Sequence, residues 1–262
     1  MRFSWWKTLG QRPFAAARQL IRTNLLRLPP LICTLRARSM ARLTYTISRL
    51  ISGCVFSAVS RRHVFNPEGA RHSGPWILAS NHISHFDPLL LTSVIRRQID
   101  WMAMSDLFKP RLLGWWLRCS DSFPVQRFKA DRTALKIAID RLLAGKLVGL
   151  FPEGGLRDGA ASVLGGASLR RGIRAVADLG KAPIIPCVIL GSDRLYRSSN
   201  WLPFRRTPVW IGFGQPLTAE HGEALEERLG EELRRLAARM REHFALSDDD
   251  FPKPPRDRMN GL

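Results

Sequence analysis

The chain has few cysteines, and none lies close to another. Cys33, Cys54, Cys119 and Cys187 share no short spacing in 262 residues. The sequence therefore indicates neither a Cys-x-x-Cys redox pair nor a zinc site, and we predict no metal centre. We expect all four thiols to be reduced and buried, which fits a cytosolic setting.

Long apolar runs are also missing. No stretch reaches the roughly eighteen uninterrupted apolar residues that a membrane-spanning helix needs. The first residues begin like a signal peptide, but Gln11, Arg12 and Arg18 interrupt the apolar core that would have to follow. The sequence predicts that the protein neither crosses a membrane nor leaves the cell.

Acidic residues are absent from the first 67 positions, which contain twelve Lys or Arg. Ten of the 22 acids lie between Glu220 and Asp250. The formal net charge of +19 is therefore concentrated towards the N-terminus. A charge confined to one end indicates a docking surface rather than general solubility.

Residues 38–54 have the two-faced pattern of an interfacial helix. Arginines form one stripe and apolar side chains the opposite one: Arg38, Arg42 and Arg49 against Met40, Leu43, Ile47, Leu50, Ile51 and Cys54. A second such helix is predicted from Phe14 to Leu28. We predict that residues 1–62 form a basic amphipathic extension that docks on a membrane surface with anionic lipids. Alternatively, the helix packs on its own domain and leaves its arginines in water.

A basic chain can also bind nucleic acid, but the sequence lacks the motifs for it. It has no helix-turn-helix, zinc finger, ribonucleoprotein-type aromatic motif or KH-like loop. The apolar stripe within residues 40–54 also argues against that function. We predict no nucleic-acid partner.

Beyond the extension, apolar strand-like runs alternate with helical ones. Strands are predicted at 76–80, 99–104, 123–125, 147–151, 184–190 and 209–213, and helices from about 88 and at 106–117, 131–143, 169–179 and 218–244. This alternation predicts an α/β fold, a single domain with a mostly parallel buried sheet flanked by helices. We place the domain at 63–247 and a C-terminal tail at 248–262. Functional residues of such sheets lie in loops at the carboxyl ends of strands.

The loop from Asn81 to Pro88 follows the first predicted strand, and four residues separate its His82 from its Asp87. A histidine that shares a carboxylate can take a proton from a hydroxyl near neutral pH. The spacing alone is weak evidence, because His243 and Asp248 repeat it without the flanking Asn and Pro. Its place after a strand makes the first pair the candidate general base and orienter.

Two other predicted strands are followed by charged residues and glycines. Arg127 lies two residues after the strand at 123–125. A carboxylate, two glycines and an arginine follow the strand at 147–151: Glu153, Gly154, Gly155 and Arg157. Paired glycines let backbone amides approach an anion, and arginine can bind phosphate oxygens in a fork. Taken singly, these features also fit an ordinary turn and a solvated charge.

Together the three loops resemble the glycerolipid acyltransferase family, whose best-known members are the 1-acylglycerol-3-phosphate acyltransferases. Asn81 to Pro88 is similar to the family's first motif, Phe151 to Gly154 to its third and Ala182 to Val188 to its fourth, while Arg127 stands at the second-motif arginine. The likeness covers about residues 60–215, and four motifs in order are far more specific than one. Two positions depart from the pattern. Gly155-Leu156-Arg157 replaces Thr-Arg-Ser, and Asp121 replaces a glycine.

The resemblance implies transfer of a fatty acyl group from an acyl thioester, either acyl-CoA or acyl carrier protein, to the free hydroxyl of 1-acylglycerol-3-phosphate. The product would be phosphatidate. His82 would be the base and Asp87 its orienter, with the acceptor bound by Arg127, Glu153, Gly154, Gly155 and Arg157. No protein nucleophile is required, no Gly-x-Ser-x-Gly elbow is present, and no cofactor is expected beyond the donor.

Two other functions stay open at this point. The altered third motif leaves room for another lysolipid or a lyso-aminolipid as acceptor. A non-catalytic membrane-associated or nucleic-acid-binding protein could also keep the scaffold. Since lysophospholipids partition into bilayers, the acyltransferase interpretation predicts a peripheral or monotopic enzyme on the cytoplasmic face of the cell membrane.

Overall fold

The structure, a computed structural model, describes residues 30–126, 131–202, 206–218 and 225–252, with side chains from Arg42 onward. The second amphipathic helix predicted from Phe14 to Leu28, the candidate Arg127 and the tail beyond residue 252 lie outside the described residues. Six α-helices are described: α1 (Pro30–Val59), α2 (Asp87–Val94), α3 (Arg111–Cys119), α4 (Arg132–Leu143), α5 (Ile173–Gly180) and α6 (Leu225–Phe244).

Seven described strands form one sheet. They are β1 (Ser60–Phe65), β2 (Trp76–Ser80), β3 (Ile99–Met104), β4 (Phe123–Val125), β5 (Leu147–Leu150), β6 (Ile184–Leu190) and β7 (Thr207–Phe213), in the order β1-β7-β6-β2-β5-β3-β4. Every pair is parallel except the antiparallel β6 and β7. The predicted α/β fold with a mostly parallel sheet is confirmed.

Helices cover both faces of the sheet, which explains why its central strands read as continuous apolar runs. One core contains α4, α5 and α6 side chains, among them Leu142, Val176 and Leu233. The other contains the end of α1 and α2, through Phe56 and Leu91. All seven residues of β6 and all five of β2 are buried. The strand that leads into the first motif and the strand that contains most of the fourth motif are therefore at the centre of the fold.

Two elements differ from the sequence prediction. Strand β1 was not predicted, because Ser60-Arg61-Arg62-His63 has no apolar run, and this edge strand crosses residue 62, where we placed the end of the extension. The helix predicted at 106–117 is instead a short 3-10 helix, Ser105–Phe108, followed by α3. Pro110 separates the two, because its own backbone is extended, with a ψ of 128°, and a proline inside a helix lacks the amide donor and clashes with the preceding turn.

Helix α1 buries a different side from the one its composition suggests. From residue 44 onward it packs on the domain through Tyr45, Ser48, Ser52, Phe56 and Val59, whereas its apolar stripe remains largely exposed: Ile47, Leu50, Ile51 and Val55. None of the helices in the described part of the chain is long and apolar enough to cross a bilayer.

The expectation that the cysteines are all buried is wrong. Cys187 is buried in β6, but Cys119 is half-buried and Cys54 is exposed on α1. Cys54 belongs to the exposed apolar side of the helix, so its burial would have required that side to face the domain. These three described cysteines are free thiols.

Candidate active site

The Asn81–Pro88 loop lies at the carboxyl edge of the sheet, near the middle of the strand order. It follows β2, which has β5 and β6 as parallel neighbours on its two sides. Since parallel strands end at the same edge, the segments 151–157 and 191–196 meet this loop. The sheet thus brings together two of the three loops that the sequence singled out.

The structure places His82 and Asp87 in direct contact. His82 Nδ1 lies 2.9 Å from Asp87 Oδ2, which also accepts the amides of Ile83 at 2.9 Å and Ser84 at 2.8 Å. The other oxygen, Oδ1, accepts the hydroxyl of Ser192 at 2.5 Å. The carboxylate is fully buried. Four donors hold it in one orientation, and its bond to Nδ1 leaves Nε2 of the imidazole to take a proton.

Aromatic rings fix the plane of the imidazole. The His82 ring stacks on Phe151 with 3.9 Å between centroids, and Phe151 stacks in turn on Trp101 at 5.3 Å. His82 is only 9% exposed. One face of the imidazole is therefore covered by an apolar ring.

Glu153, which the resemblance assigns to the acceptor, has partners within the protein for both carboxylate oxygens. Its Oε2 accepts the backbone amide of His82 at 2.7 Å, and its Oε1 accepts Ser162 Oγ at 2.8 Å and the amide of Val163 at 2.7 Å. Burial raises the pKa of Glu153, and these three donors oppose that effect. Both oxygens are therefore engaged inside the protein, one of them with the backbone of His82.

The glycines of the third loop have different roles. Gly154 has a φ of +71°, and a Cβ there would lie 2.2 Å from Arg170 Nε. The Arg170 side chain therefore lies against Gly154, a contact that the sequence did not reveal because Arg170 read as part of a helix. Gly155 is buried, and Arg157 is half-buried and donates its amide to the carbonyl oxygen of His82 at 2.8 Å.

Asn81 has a structural role that explains its place before the histidine. Its Nδ2 donates to the carbonyl of Ile189 at 3.0 Å, and its Oδ1 accepts the Ile189 amide at 2.8 Å. The amide side chain thus imitates a strand partner and extends the pairing between β2 and β6 by one step. The loop is anchored to β6 at this point.

The departure at Asp121 is accommodated without strain elsewhere. Asp121 has a φ of +59°, the left-handed conformation that favours glycine and that aspartate tolerates. Its Oδ2 accepts Lys146 Nζ at 2.9 Å and Gln98 Nε2 at 3.2 Å. A residue with a paired carboxylate therefore occupies this left-handed position.

The pair with the same spacing near the C-terminus forms no comparable site. Asp248 accepts a hydrogen bond from Arg241 at 2.6 Å. The ring of His243 packs edge-on against Phe65 and Phe244. Within the described residues, no cluster of three or more His, Cys, Asp or Glu could hold a metal ion.

Comparison with known proteins agrees with this geometry. The family model named Acyltransferase matches residues 61–190. A 1-acyl-sn-glycerol-3-phosphate acyltransferase of Bacillus subtilis is 28% identical over 155 residues, which are 59% of this chain and 72% of that protein. One of Streptococcus pneumoniae is 25% identical over 213 residues, 80% of this chain and 75% of that protein.

A solved structure shares the fold. The crystal structure of the 1-acyl-sn-glycerophosphate acyltransferase from Thermotoga maritima matches with a TM-score of 0.60 and 21% identity, over 87% of this chain and 89% of that one. At that identity the match supports the architecture alone. The family match and the curated relatives carry the assignment: residues 61–190 form an acyltransferase domain, and the protein is an O-acyltransferase.

Proposed function

We propose that this enzyme moves a fatty acyl group from an acyl thioester to the free hydroxyl of 1-acylglycerol-3-phosphate, giving phosphatidate. The observation that carries the proposal is the bond between His82 Nδ1 and the buried Asp87, at the edge of the sheet where the third-motif loop also ends. The activity named for the relatives from Bacillus subtilis and Streptococcus pneumoniae supports this choice of acceptor.

In the proposed reaction, His82 Nε2 takes the proton from the acceptor hydroxyl as its oxygen attacks the thioester carbonyl carbon. Asp87 holds the imidazole and stabilises the imidazolium that forms. The tetrahedral intermediate then collapses and the carbon–sulfur bond breaks. The leaving thiolate takes from the imidazolium the proton that came from the acceptor hydroxyl. An ester has replaced a thioester, and no protein nucleophile or redox partner takes part.

The acceptor phosphate is assigned to the arginines of the third-motif loop and to Arg127. The backbone amide of Arg157 donates to the carbonyl oxygen of His82, which places Arg157 beside the proposed base. The side chain of Arg170 lies against Gly154. The Gly154 amide is used within the turn, because it donates to Phe151 O at 3.0 Å. Arginine forks suit a phosphate monoester, whereas a lysolipid with another head group would use these cations less well.

One assay tests the proposal. Purified protein is given a labelled acyl thioester, either acyl-CoA or acyl carrier protein, with lysophosphatidate beside other lysolipids and a lyso-aminolipid. We expect phosphatidate from wild type, and a loss of about 10²–10⁴-fold in His82→Ala. His243→Ala is the matched control, because His243 has the same spacing to an aspartate but should keep full activity. Product with another lysolipid alone would reassign the acceptor, and transfer that survives His82→Ala would refute the mechanism.

We further propose that the enzyme works as a peripheral or monotopic protein on the cytoplasmic face of the membrane. The supporting observation is an exposed apolar surface, here called the docking face, formed by α1 and α3: Ile47, Leu50, Ile51, Val55, Leu112 and Trp115. The two helices are joined by a bond of 2.9 Å from Trp116 Nε1 to Ser48 Oγ. Exposed apolar side chains, in a chain whose first 67 residues contain twelve Lys or Arg and no acid, fit an anionic bilayer, where the acceptor resides.

A further inference from the structure

Ser192 stands at a position that the backbone fixes tightly. Strand β6 ends at Leu190, and the chain turns at Gly191 into a short 3-10 helix, Ser192–Tyr196. Gly191 has a φ of +80°, and a Cβ there would lie 2.6 Å from the carbonyl oxygen of Pro208. Glycine alone fits such a turn without strain or clash, so the direction in which Ser192 leaves the strand is set.

The hydroxyl of Ser192 reaches the carboxylate that orients the base. Ser192 and Asp87 are both 0% exposed, and Ser192 Oγ lies 2.5 Å from Asp87 Oδ1 across 105 residues of sequence. The other described donors to this carboxylate, from the 82–84 segment, are all on Oδ2. Without the hydroxyl, Oδ1 would be a buried acceptor that has lost its partner, which is a costly state for a carboxylate.

The same end of β6 is tied to the catalytic loop at a second point. Asn81 makes two hydrogen bonds with the backbone of Ile189, three residues before Ser192. The Asn81 bonds fix the start of the loop, and the Ser192 bond fixes its end at Asp87. Together they set the separation of His82 and Asp87 from outside the loop.

We propose that Ser192 is a positioning residue for acyl transfer, which holds Asp87 so that Asp87 in turn holds His82 with Nε2 towards the acceptor. Ser192 acts through Asp87 and has no contact with the substrate. The proposal rests on the roles proposed above for His82 and Asp87. Ser192 thus joins His82 and Asp87 as a third residue of the proposed site, and it comes from the segment that follows the fourth motif.

The test compares Ser192→Thr with Ser192→Val. The two side chains have nearly the same shape, but only threonine keeps the hydroxyl, so any packing change is common to both. We expect the Thr variant to keep most of the wild-type kcat, and the Val variant to lose about tenfold or more relative to it, since the lost bond is to a charged group. The KM for lysophosphatidate should differ by less than about twofold between them, because the interaction acts on the base and not on binding.

The pH–rate profile supplies a readout that a purely structural role would not change. With the hydroxyl gone, more of the Asp87 charge is available to the imidazolium, so the acidic limb of kcat should move to higher pH in Val but not in Thr. Two other titratable groups face the pair. Glu153 binds the His82 amide, and the Cys187 thiol lies near Asp87, where burial raises its pKa to about 12. Both are the same in the two variants.

Equal kcat values and coincident acidic limbs for Thr and Val would overturn the proposal. If the Val variant fails to fold, Ser192→Ala, which adds no volume, is compared with wild type by the same two readouts. Ser199→Ala, at an exposed serine seven residues along, is the control and should match wild type. His82→Ala is run beside them. If it is inactive while Thr and Val agree, only the Ser192 role fails, whereas an active His82→Ala overturns the proposed mechanism and this role together.

Discussion

The backbone N–H and C=O of His82 are both hydrogen-bonded by one short segment, residues 153–157. Glu153 accepts the His82 amide, and the Arg157 amide donates to the His82 carbonyl. The first and third motifs are thus bound together through backbone groups. Glu153 holds the backbone of His82, while Asp87 holds its imidazole ring.

Replacing Glu153 with glutamine separates support of the base from binding of the acceptor. Each Glu153 oxygen faces an N–H donor, so the amide NH₂ of glutamine must oppose one of them. We expect Glu153→Gln to lower the free energy of unfolding by about 1–3 kcal/mol and to lower kcat, with little change in the acceptor KM. Urea denaturation and steady-state kinetics measure the two effects.

Glu68→Gln is the matched control for this substitution. Glu68 is exposed and pairs on the surface with Arg71 at 2.8 Å, so its replacement should leave both stability and kinetics near wild type. A raised acceptor KM in Glu153→Gln with an unchanged kcat would instead return Glu153 to the head-group role that the resemblance implies.

Some of these residue contacts were predictable and others were not. His82 and Asp87 are close in sequence, and a strand precedes them, so the pattern was sufficient to pair them. Ser192 and Arg170 reach the site from other segments, and a buried serine or a charged residue in a helical run carries no periodic signal. Their roles depend on which strands are neighbours, which one sequence does not state.

At the scale of elements, continuous apolar runs located the central strands, because these strands are buried on both faces. Strand β1 was not predicted, because it lies at the sheet edge and its polar residues alternate with little regularity. The start of helix α3 was predicted too early, because apolar spacing alone makes the run from 106 to 117 look continuous although Pro110 interrupts it. The composition of α1 was read correctly as two-faced, but composition cannot tell which face meets the domain.

Helix α4 begins at a cap that should control its stability. Asp131 Oδ1 accepts the amides of Thr133 and Ala134, both at 3.0 Å, and Oδ2 accepts that of Gln126 at 2.9 Å. Bonds with the backbone, above all from Ala134 and Gln126, hold the pKa of Asp131 below its ordinary value. We expect Asp131→Ala to lower the free energy of unfolding by about 1 kcal/mol near pH 7.

The pH dependence of this loss has a definite sign. A carboxyl whose pKa is lower in the folded state stabilises the protein above its unfolded pKa, and that stabilisation is lost as the pH falls through the folded value. The gap between wild type and Asp131→Ala in urea denaturation should therefore narrow below about pH 4. Asp140→Ala on the same helix removes only an exposed pair with Lys136 at 3.3 Å and should have a smaller effect. Equal losses in the two variants at pH 7 would rule out the cap.

For the molecule as a whole, the positive charge and the docking face make one prediction about membranes. Leu50 and Ile51 are each 57% exposed on the docking face, while Leu179 is 59% exposed on α5, which packs on the other face of the sheet. We expect the double variant Leu50→Asp and Ile51→Asp to lose flotation with anionic vesicles, because it places charge at the bilayer boundary. Leu179→Asp should float like wild type. Equal flotation of the double variant and wild type would remove the docking face from the proposal.

No connecting loop separates α1 from the sheet. The helix ends at Val59 and β1 begins at Ser60, whose Oγ donates to the Phe56 carbonyl at 2.5 Å in the last helical turn. Residues 44–59 of α1 therefore continue directly into β1, which pairs with the rest of the sheet through β7. If the exposed side of residues 44–59 lies on a bilayer, the direction of this segment sets the angle between the lipid surface and the sheet edge that carries His82. The distance between His82 and the lipid then depends on this angle. A flexible insert after Val59 would leave the helix bound to the bilayer but would remove the fixed orientation of the sheet.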